Sequence, residues 1–312
     1  MTKIVNDYSL IASFCFRQLL VGWVLCAGLS VRAQAAPASA TLRPLYVYNF
    51  GGLETLTPEK QCNLVAETGY AGLVLKIENQ SDLDTLPLFL AISIKPNGPK
   101  ILAVFVRFGF TDPAEDLARS RKVVELIAGQ DIALWLILDN KKKPAVTATE
   151  AEDALTGAVS FASSRGVRSA LYPHSRCLVS SAEEALPFVE KIHRPDFGLV
   201  LNLCHELRAH NGDRLREVIQ KVAPSVSAIV ISGADAEVDF SSPKTMDQST
   251  VQPLDHSAFD WAGFLAAADA AGIRAPVAFI NFKITSPPRE YLTRSLAAWL
   301  RQTSQSRTSH NQ

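Results

Sequence analysis

Eight short runs of aliphatic, β-branched and aromatic residues recur along the chain, and each is followed by a stretch with the start signals and spacing of a helix. The runs are Pro44–Tyr48, Gly72–Ile77, Ile101–Arg107, Ile132–Leu138, Arg168–Tyr172, Gly198–Leu203, Val226–Ser232 and Val277–Phe282. After the first, "TPEKQCNLVAETGY" offers Thr57 as N-cap, Pro58 at the first helical position and Gly69 as the stop. The same grammar predicts helices opening on Ser81, where Pro87 interrupts the pattern, and on Asp112 with Pro113 next to it. A fourth, "TATEAEDALTGAVSFASSRG", ends at Gly166, and others cover Ser181–Ile192, Gly212–Val222, Asp260–Ala271 and Arg289–Leu300. Short runs that are apolar throughout read as strands buried on both faces, which means a parallel sheet covered by helices. Eight such units predict a closed (β/α)8 TIM barrel. A doubly wound open sheet is the alternative, but no GxGxxG follows the first run to favour it.

A chain of 312 residues holds one barrel and some additional segments. The first 35 residues have the pattern of a secretory signal peptide: Arg17, an apolar run Leu19–Val31, and small residues at Ala33 and Ala35 that suit cleavage after Ala35. The expectation is an exported, periplasmic or extracellular protein with no permanent membrane span after cleavage. The barrel is expected over 36–302, and 303–312 as a disordered polar tail. Thirty-one basic residues balance thirty-one acidic ones, so no charge footprint for nucleic acid is present. Beyond the signal, Cys62, Cys177 and Cys204 form no CxxC pair, which argues against a disulfide framework or a cysteine zinc site. Nothing in the sequence sets an oligomeric state.

Barrels carry their chemistry at the carboxyl ends of the strands. In chain order the strand assignments place there Tyr48 and Asn49, Lys76 and Glu78, Arg107, Asp139 and Asn140, Tyr172 and His174, Asn202 and His205, Ser232 and Asp235, and Asn281 and Lys283. Polar residues gathered at one pole suit a small polar ligand such as a sugar. Lys76 and Arg107 are candidates to hold hydroxyls or a phosphate. The long connection Gly233–Phe259 follows the seventh strand, and its His256 is placed to close over a ligand. Cys204 is expected to pack as a small hydrophobe, since neighbours on a strand point to opposite faces and it cannot share a pocket with His205. Glu78 and Asp139 are the carboxylate pair that a glycosidase would need.

Five segments, "TPEKQCNLVAETGYAGLVL", "YPHS", "GLVLNLCHEL", "ISGAD" and "VQPLDHSAFDW", resemble in order the sugar phosphate isomerase/epimerase group of xylose-isomerase-like barrels. The resemblance implies a divalent metal (Mn, Zn, Mg or Co) held by Glu, Asp, His and Glu at the ends of strands five to eight. The two glutamates shuttle a proton beside a sugar carbonyl that the metal polarises. It also implies a sugar-holding His three residues after the strand-six Asp, and Asn202 with His205 keeps that spacing. The other positions depart: strand five ends in Tyr172, Pro173 and His174, strand seven in Ser232, and strand eight in Ile280 and Asn281. The expected function is therefore an exported isomerase or epimerase, or a lyase of the same barrel family, acting on a sugar or keto-sugar by metal-assisted or His-assisted proton transfer next to a carbonyl. His174 and His205 are its catalytic groups and candidate metal ligands, joined by Asp235 or Glu206; Lys76, Arg107, Asn202, Asp235 and His256 hold the substrate. The alternative is a catalytically degenerate carbohydrate-binding barrel.

Overall fold

A computed structural model describes residues 43–139 and 145–308. The expected signal segment, Asn140, Lys141–Lys143 and the last four residues lie outside the described residues. Strands β1 (Leu45–Tyr48), β2 (Gly72–Ile77), β3 (Lys100–Phe108), β4 (Ala133–Leu138), β5 (Ser169–Leu171), β6 (Phe197–Asn202), β7 (Val226–Ile231) and β8 (Val277–Phe279) pair in parallel and close in sequence order into an eight-stranded barrel. Around it lie helices α1 (Pro58–Glu67), α2 (Gln80–Ser93), α3 (Pro113–Ile127), α4 (Ala148–Ser164), α5 (Ala182–Ile192), α6 (Leu203–Arg208), α7 (Leu215–Val222), α8 (Pro243–Thr250), α9 (Trp261–Ala270) and α10 (Pro288–Thr308).

The helix starts are set locally. Thr57, Asp112, Ser181 and Asp260 cap α1, α3, α5 and α9 through their side chains, and Thr147 forms a capping box with Glu150 at α4. At α2 the cap is Asn79, which accepts from Asp82 N, and Ser81 falls inside the first turn. Pro87 does not break this helix: it lies on the exposed side, where water can take the carbonyl bond that its missing N–H leaves, while Leu83, Leu86, Phe89 and Leu90 pack inward. The long connection after β7 is ordered by α8 and by a 3-10 turn, Leu254–His256, and α10 continues to Thr308, past the expected fraying point. Among the described residues no helix is long and apolar enough to cross a membrane.

Residues paired across parallel strands share a face, so the barrel interior follows from the register. Tyr48 pairs with Val74, and Lys76, Phe105, Trp135, Ala170 and Gly198 form one continuous row; all face inward with Tyr48, whose ring meets Phe105 and Trp135. Two layers result. Toward the carboxyl ends, Tyr48, Phe105, Trp135 and Tyr172 form a closed aromatic layer with ring centroids 5.7–6.5 Å apart. Toward the amino ends many inward positions are small, including Ala133, Ala170, Gly198 and Ala228, and with Tyr46 they form the inner wall of a solvent-open recess of about 1040 Å³ that reaches Trp135.

Candidate functional site at the carboxyl end of the barrel

Strand β6 stops at Asn202, one residue before the expected end. Asn202 Oδ1 accepts from Cys204 N at 3.1 Å and so caps α6, which turns "LCHELR" from strand into helix. His205 and Arg208, three apart on this helix, then share a face. Asn202 Nδ2 donates to Tyr172 Oη at 2.8 Å, and Tyr48 Oη lies 3.1 Å from the same oxygen. Burial raises both phenols well above their usual range, so they remain neutral.

Above this layer the rings of His174 and His205 approach to 4.3 Å between centroids. One residue sets the state of both. Ser175 N donates to His205 Nδ1 at 3.2 Å, so neutral His205 carries its proton on Nε2. His174 Nδ1 lies 2.9 Å from Ser175 O, and because a carbonyl only accepts, His174 carries its proton on Nδ1 and presents a lone pair at Nε2. Burial and the neighbouring Arg107 guanidinium push the His174 pKa down to about 3; burial, His174 and Arg208 hold His205 well below its ordinary value. Both imidazoles are neutral at physiological pH. His205 is fully buried, whereas His174 is partly open.

Cys177 Sγ lies 3.4 Å from His174 Nδ1 and accepts from Arg107 at 3.2 Å. Arg107 also reaches Asp139 and Glu78, each at 3.3 Å. The two carboxylates expected as a glycosidase pair thus bracket a guanidinium. Lys76 Nζ sits 3.8 Å from Glu78 and 3.7 Å from Asp82, and Asn49 Oδ1 accepts from Lys76 N, tying the ends of β1 and β2. On the other side of the histidines a buried carboxylate, Asp247 of α8, meets Arg208 at 3.1 Å, Lys283 at 2.9 Å and Arg176 at 3.7 Å. At the rim Phe50 and Phe282, both partly buried, meet edge to face at 5.5 Å.

The structure therefore joins His174, His205, Asn202, Arg107 and, through Glu78, Lys76 into one contact network. Asp235 is exposed and held by Gln252 Nε2 at 2.7 Å. His256 is exposed beside Asp255 on the 3-10 turn that packs against α10, outside this network. Glu206 turns away from the mouth: it accepts from Ala182 N at the start of α5 and from Asn211 Nδ2, at 2.7 and 2.6 Å, and burial raises its pKa to about 6. Ser232 Oγ donates to Thr250 O at 2.8 Å. Asn281 Nδ2 donates to Phe50 O and Tyr291 Oη, both at 2.7 Å, and Gly51, at φ +60°, leaves room for that clamp because a Cβ there would meet Asn281 O at 2.5 Å.

A metal does not fit these residues. At the ends of strands five to seven Tyr172, Asn202 and Ser232 are engaged in internal hydrogen bonds, and at strand eight Asn281 is held through Nδ2, which leaves one neutral amide oxygen, buried and without a partner, in place of a carboxylate. His205 cannot offer Nε2 to a metal while Ser175 N–H occupies Nδ1, since a ligating imidazole needs its other nitrogen protonated. Glu206 and Asp235, the carboxylates expected to complete the set, are held elsewhere, and among the described residues no group of three His, Cys, Asp or Glu is placed to hold a metal ion. Two features escape a reading by strand ends. The aromatic layer was open to period-2 alternation, which puts Phe105 and Trp135 on the inward face. The Arg176–Arg208–Lys283 group around Asp247 joins four distant segments and has no local signal beyond the His205–Arg208 spacing.

A closed parallel barrel with helices around it and polar side chains gathered at the carboxyl ends of its strands defines the class as a TIM barrel. The chain belongs to the xylose isomerase-like TIM barrel family, whose model matches residues 112–303. Among solved structures it is similar to an IolI protein described with a bound zinc atom (20% identity, TM-score 0.64, covering 84% of this chain and 98% of that one). It is also similar to a D-allulose 3-epimerase from Methylomonas sp. in complex with D-allulose (14%, TM-score 0.61, 84% and 98%) and to an L-ribulose 3-epimerase (15%, TM-score 0.62, 87% and 97%). At these identities the likeness is one of fold. No curated protein sequence matches the chain.

Proposed function

We propose that this barrel binds a sugar or sugar-like polyol at its carboxyl end and has lost the metal-dependent proton transfer that the family resemblance implies. One observation carries this reading: the strand-end residues Tyr172, Asn202, Ser232 and Asn281 all direct their side chains into the protein's own hydrogen bonds. The partly open groups that remain, His174, Arg107, Lys76 and the Phe50–Phe282 edge, supply polar contacts and an apolar platform, the usual means of holding a sugar ring. The D-allulose complex and the sugar epimerases among the structural neighbours agree with this class of ligand. The test is metal analysis of the purified protein and proton NMR of aldoses and ketoses incubated with it in D2O. The expected result is no stoichiometric metal, no metal-dependent deuterium incorporation, and ligand-induced thermal stabilisation by at least one sugar. Metal-stimulated exchange at a carbon next to the carbonyl overturns the reading.

A second reading has its own support: the tautomer set by Ser175 O leaves a lone pair on Nε2 of the partly open His174, a group able to assist proton transfer next to a carbonyl without metal, while the N–H of His205 stays buried behind it. A base whose pKa lies near 3 is weak, so any such exchange is expected to be slow. Exchange that persists in EDTA and is lost in His174→Asn establishes it. We also place the protein in the periplasm or outside the cell, on the signal-like first 35 residues; fractionation and sequencing of the mature N-terminus, expected at Ala36, test this.

A further inference from the structure

Three cations and one carboxylate meet beside the histidine pair, and the imbalance is local. Asp247 is almost completely buried, as is Arg208, and their charges face each other at 3.1 Å. Arg208 is fixed by the polar side chains around it, donating to Thr250 Oγ1 at 2.7 Å and to Ser175 Oγ at 3.4 Å. This leaves Arg176 and Lys283 sharing a carboxylate that Arg208 already neutralises. Both are more than half exposed, at 52% and 59% of the side chain, with Asp247 as their sole acidic partner among the described residues. Both also occupy left-handed backbone conformations, φ +65° and φ +60°, which are uncommon for residues with a Cβ. The other carboxylates make no ion pair with these two cations: Asp139, Glu78 and Asp82 lie about Arg107 and Lys76, Glu206 faces α5, and Asp235 on the β7 loop is held by Gln252. Within this cluster, formed by the β5 and β8 loops, α6 and α8, three cations thus meet one carboxylate, an excess of two positive charges among the four groups.

Resting on the reading of this end as a sugar site, we propose that Arg176 and Lys283, backed by Arg208, form a subsite for an anionic group, so that the ligand is an acidic sugar carrying a carboxylate or a phosphate. A planar carboxylate or a phosphate oxygen pair matches the fork of the Arg176 guanidinium, and the Lys283 ammonium adds a point charge from the far side. The two cations come from the loops after β5 and β8 and converge on Asp247, so the anion would bridge them at the rim while the hydroxyl-bearing chain turns toward His174 and the Phe50–Phe282 edge.

The test compares matched pairs by isothermal titration calorimetry on the full chain: D-glucitol against D-gluconate for a carboxylate, and D-glucose against D-glucose 6-phosphate for a phosphate. The acidic member of at least one pair is expected to bind about tenfold or more tightly, from one or two charge-assisted hydrogen bonds, and the pair showing the preference identifies which anion is taken. The double variant Arg176→Gln/Lys283→Gln, with both positions exposed, is expected to fold and to lose the preference. Lys122→Gln, an exposed charge on α3, is expected to keep it. Equal binding of acidic and neutral members overturns this proposal and leaves the sugar reading standing. A preference that survives the double variant places the anion elsewhere and also overturns it. Failure of every acidic and neutral probe to bind removes the sugar reading and the subsite with it.

Discussion

The two ends of this barrel are packed in opposite ways. At the carboxyl end, where the class keeps its open pocket, Tyr48, Phe105, Trp135 and Tyr172 fill the interior, with Asn202 and His205 buried above them. At the amino end alanines and Gly198, with Tyr46, form the inner wall of a solvent-open recess of about 1040 Å³. The strands are continuous between the two, so the difference comes from side-chain size at alternate positions.

Trp135 is the partition between the two regions, touching the aromatic layer above and the recess below, so Trp135→Ala is the hardest test of the contrast. Its cost is expected to be about 3–5 kcal/mol in denaturant unfolding, because a large buried ring and its contacts in the aromatic layer are lost. A loss under about 1 kcal/mol would show that the aromatic layer is loosely packed.

The histidine pair ties the carboxyl end to pH. Between the ordinary imidazole value of 6.5 and the folded value of about 3, the unfolded chain binds a proton at His174 that the native chain does not. Stability present above pH 6.5 is therefore lost as the pH falls, at about 1.4 kcal/mol per pH unit from this group. Compared by urea unfolding from pH 7 to about 5, the advantage of the wild type over His174→Phe is expected to shrink toward acid. A constant difference would mean that His174 titrates alike in both states. Glu206 has the opposite sign: its folded pKa of about 6 exceeds the ordinary 4.5, so its contribution is present below pH 4.5 and is lost as the pH rises through 6.

Tyr172→Phe removes only an oxygen, yet it leaves Asn202 Nδ2 and Tyr48 Oη without their shared partner in a dry layer. We expect a loss of about 1–3 kcal/mol, read from the shift in denaturation midpoint. The smallest effect, and the only gain, belongs to the amino end. Ala133→Val adds methyl groups facing the recess on a strand and is expected to stabilise by up to about 1 kcal/mol. A clear destabilisation there would show that the recess is smaller or more rigidly bounded than its lining implies.

Much of the fold could be read locally because its signals are local. Gly72–Ile77 was delimited to the residue, and Thr57, Asp112, Ser181 and Asp260 acted as caps since an N-cap needs only its own side chain and the next few N–H groups. The errors were also local in cause. Asn79 competed with Ser81 for one cap, and Asn202 ended β6 early by capping α6. The site was less legible. Strand ends named His174, His205, Asn202, Arg107 and Lys76, which the structure brings together, and equally named Ser232, Asn281 and Asp235, whose side chains are taken by Thr250, Phe50 and Gln252. No spacing in the chain distinguishes the two groups, because their partners lie on other elements.

By itself the sequence determined the alternation of eight strands with helices, the barrel that follows from it, and the residue types available at its mouth. These depend on hydrophobic period and capping, which act over a few residues. Only the tertiary structure decided that Ser175 holds two imidazoles in opposite tautomers, that one buried Asp247 draws three cations from three segments, and that an aromatic layer fills the barrel at its carboxyl end while a recess opens at the other. Each of these rests on contacts between residues far apart in the chain, where a shift of one hydrogen bond changes what a side chain can do.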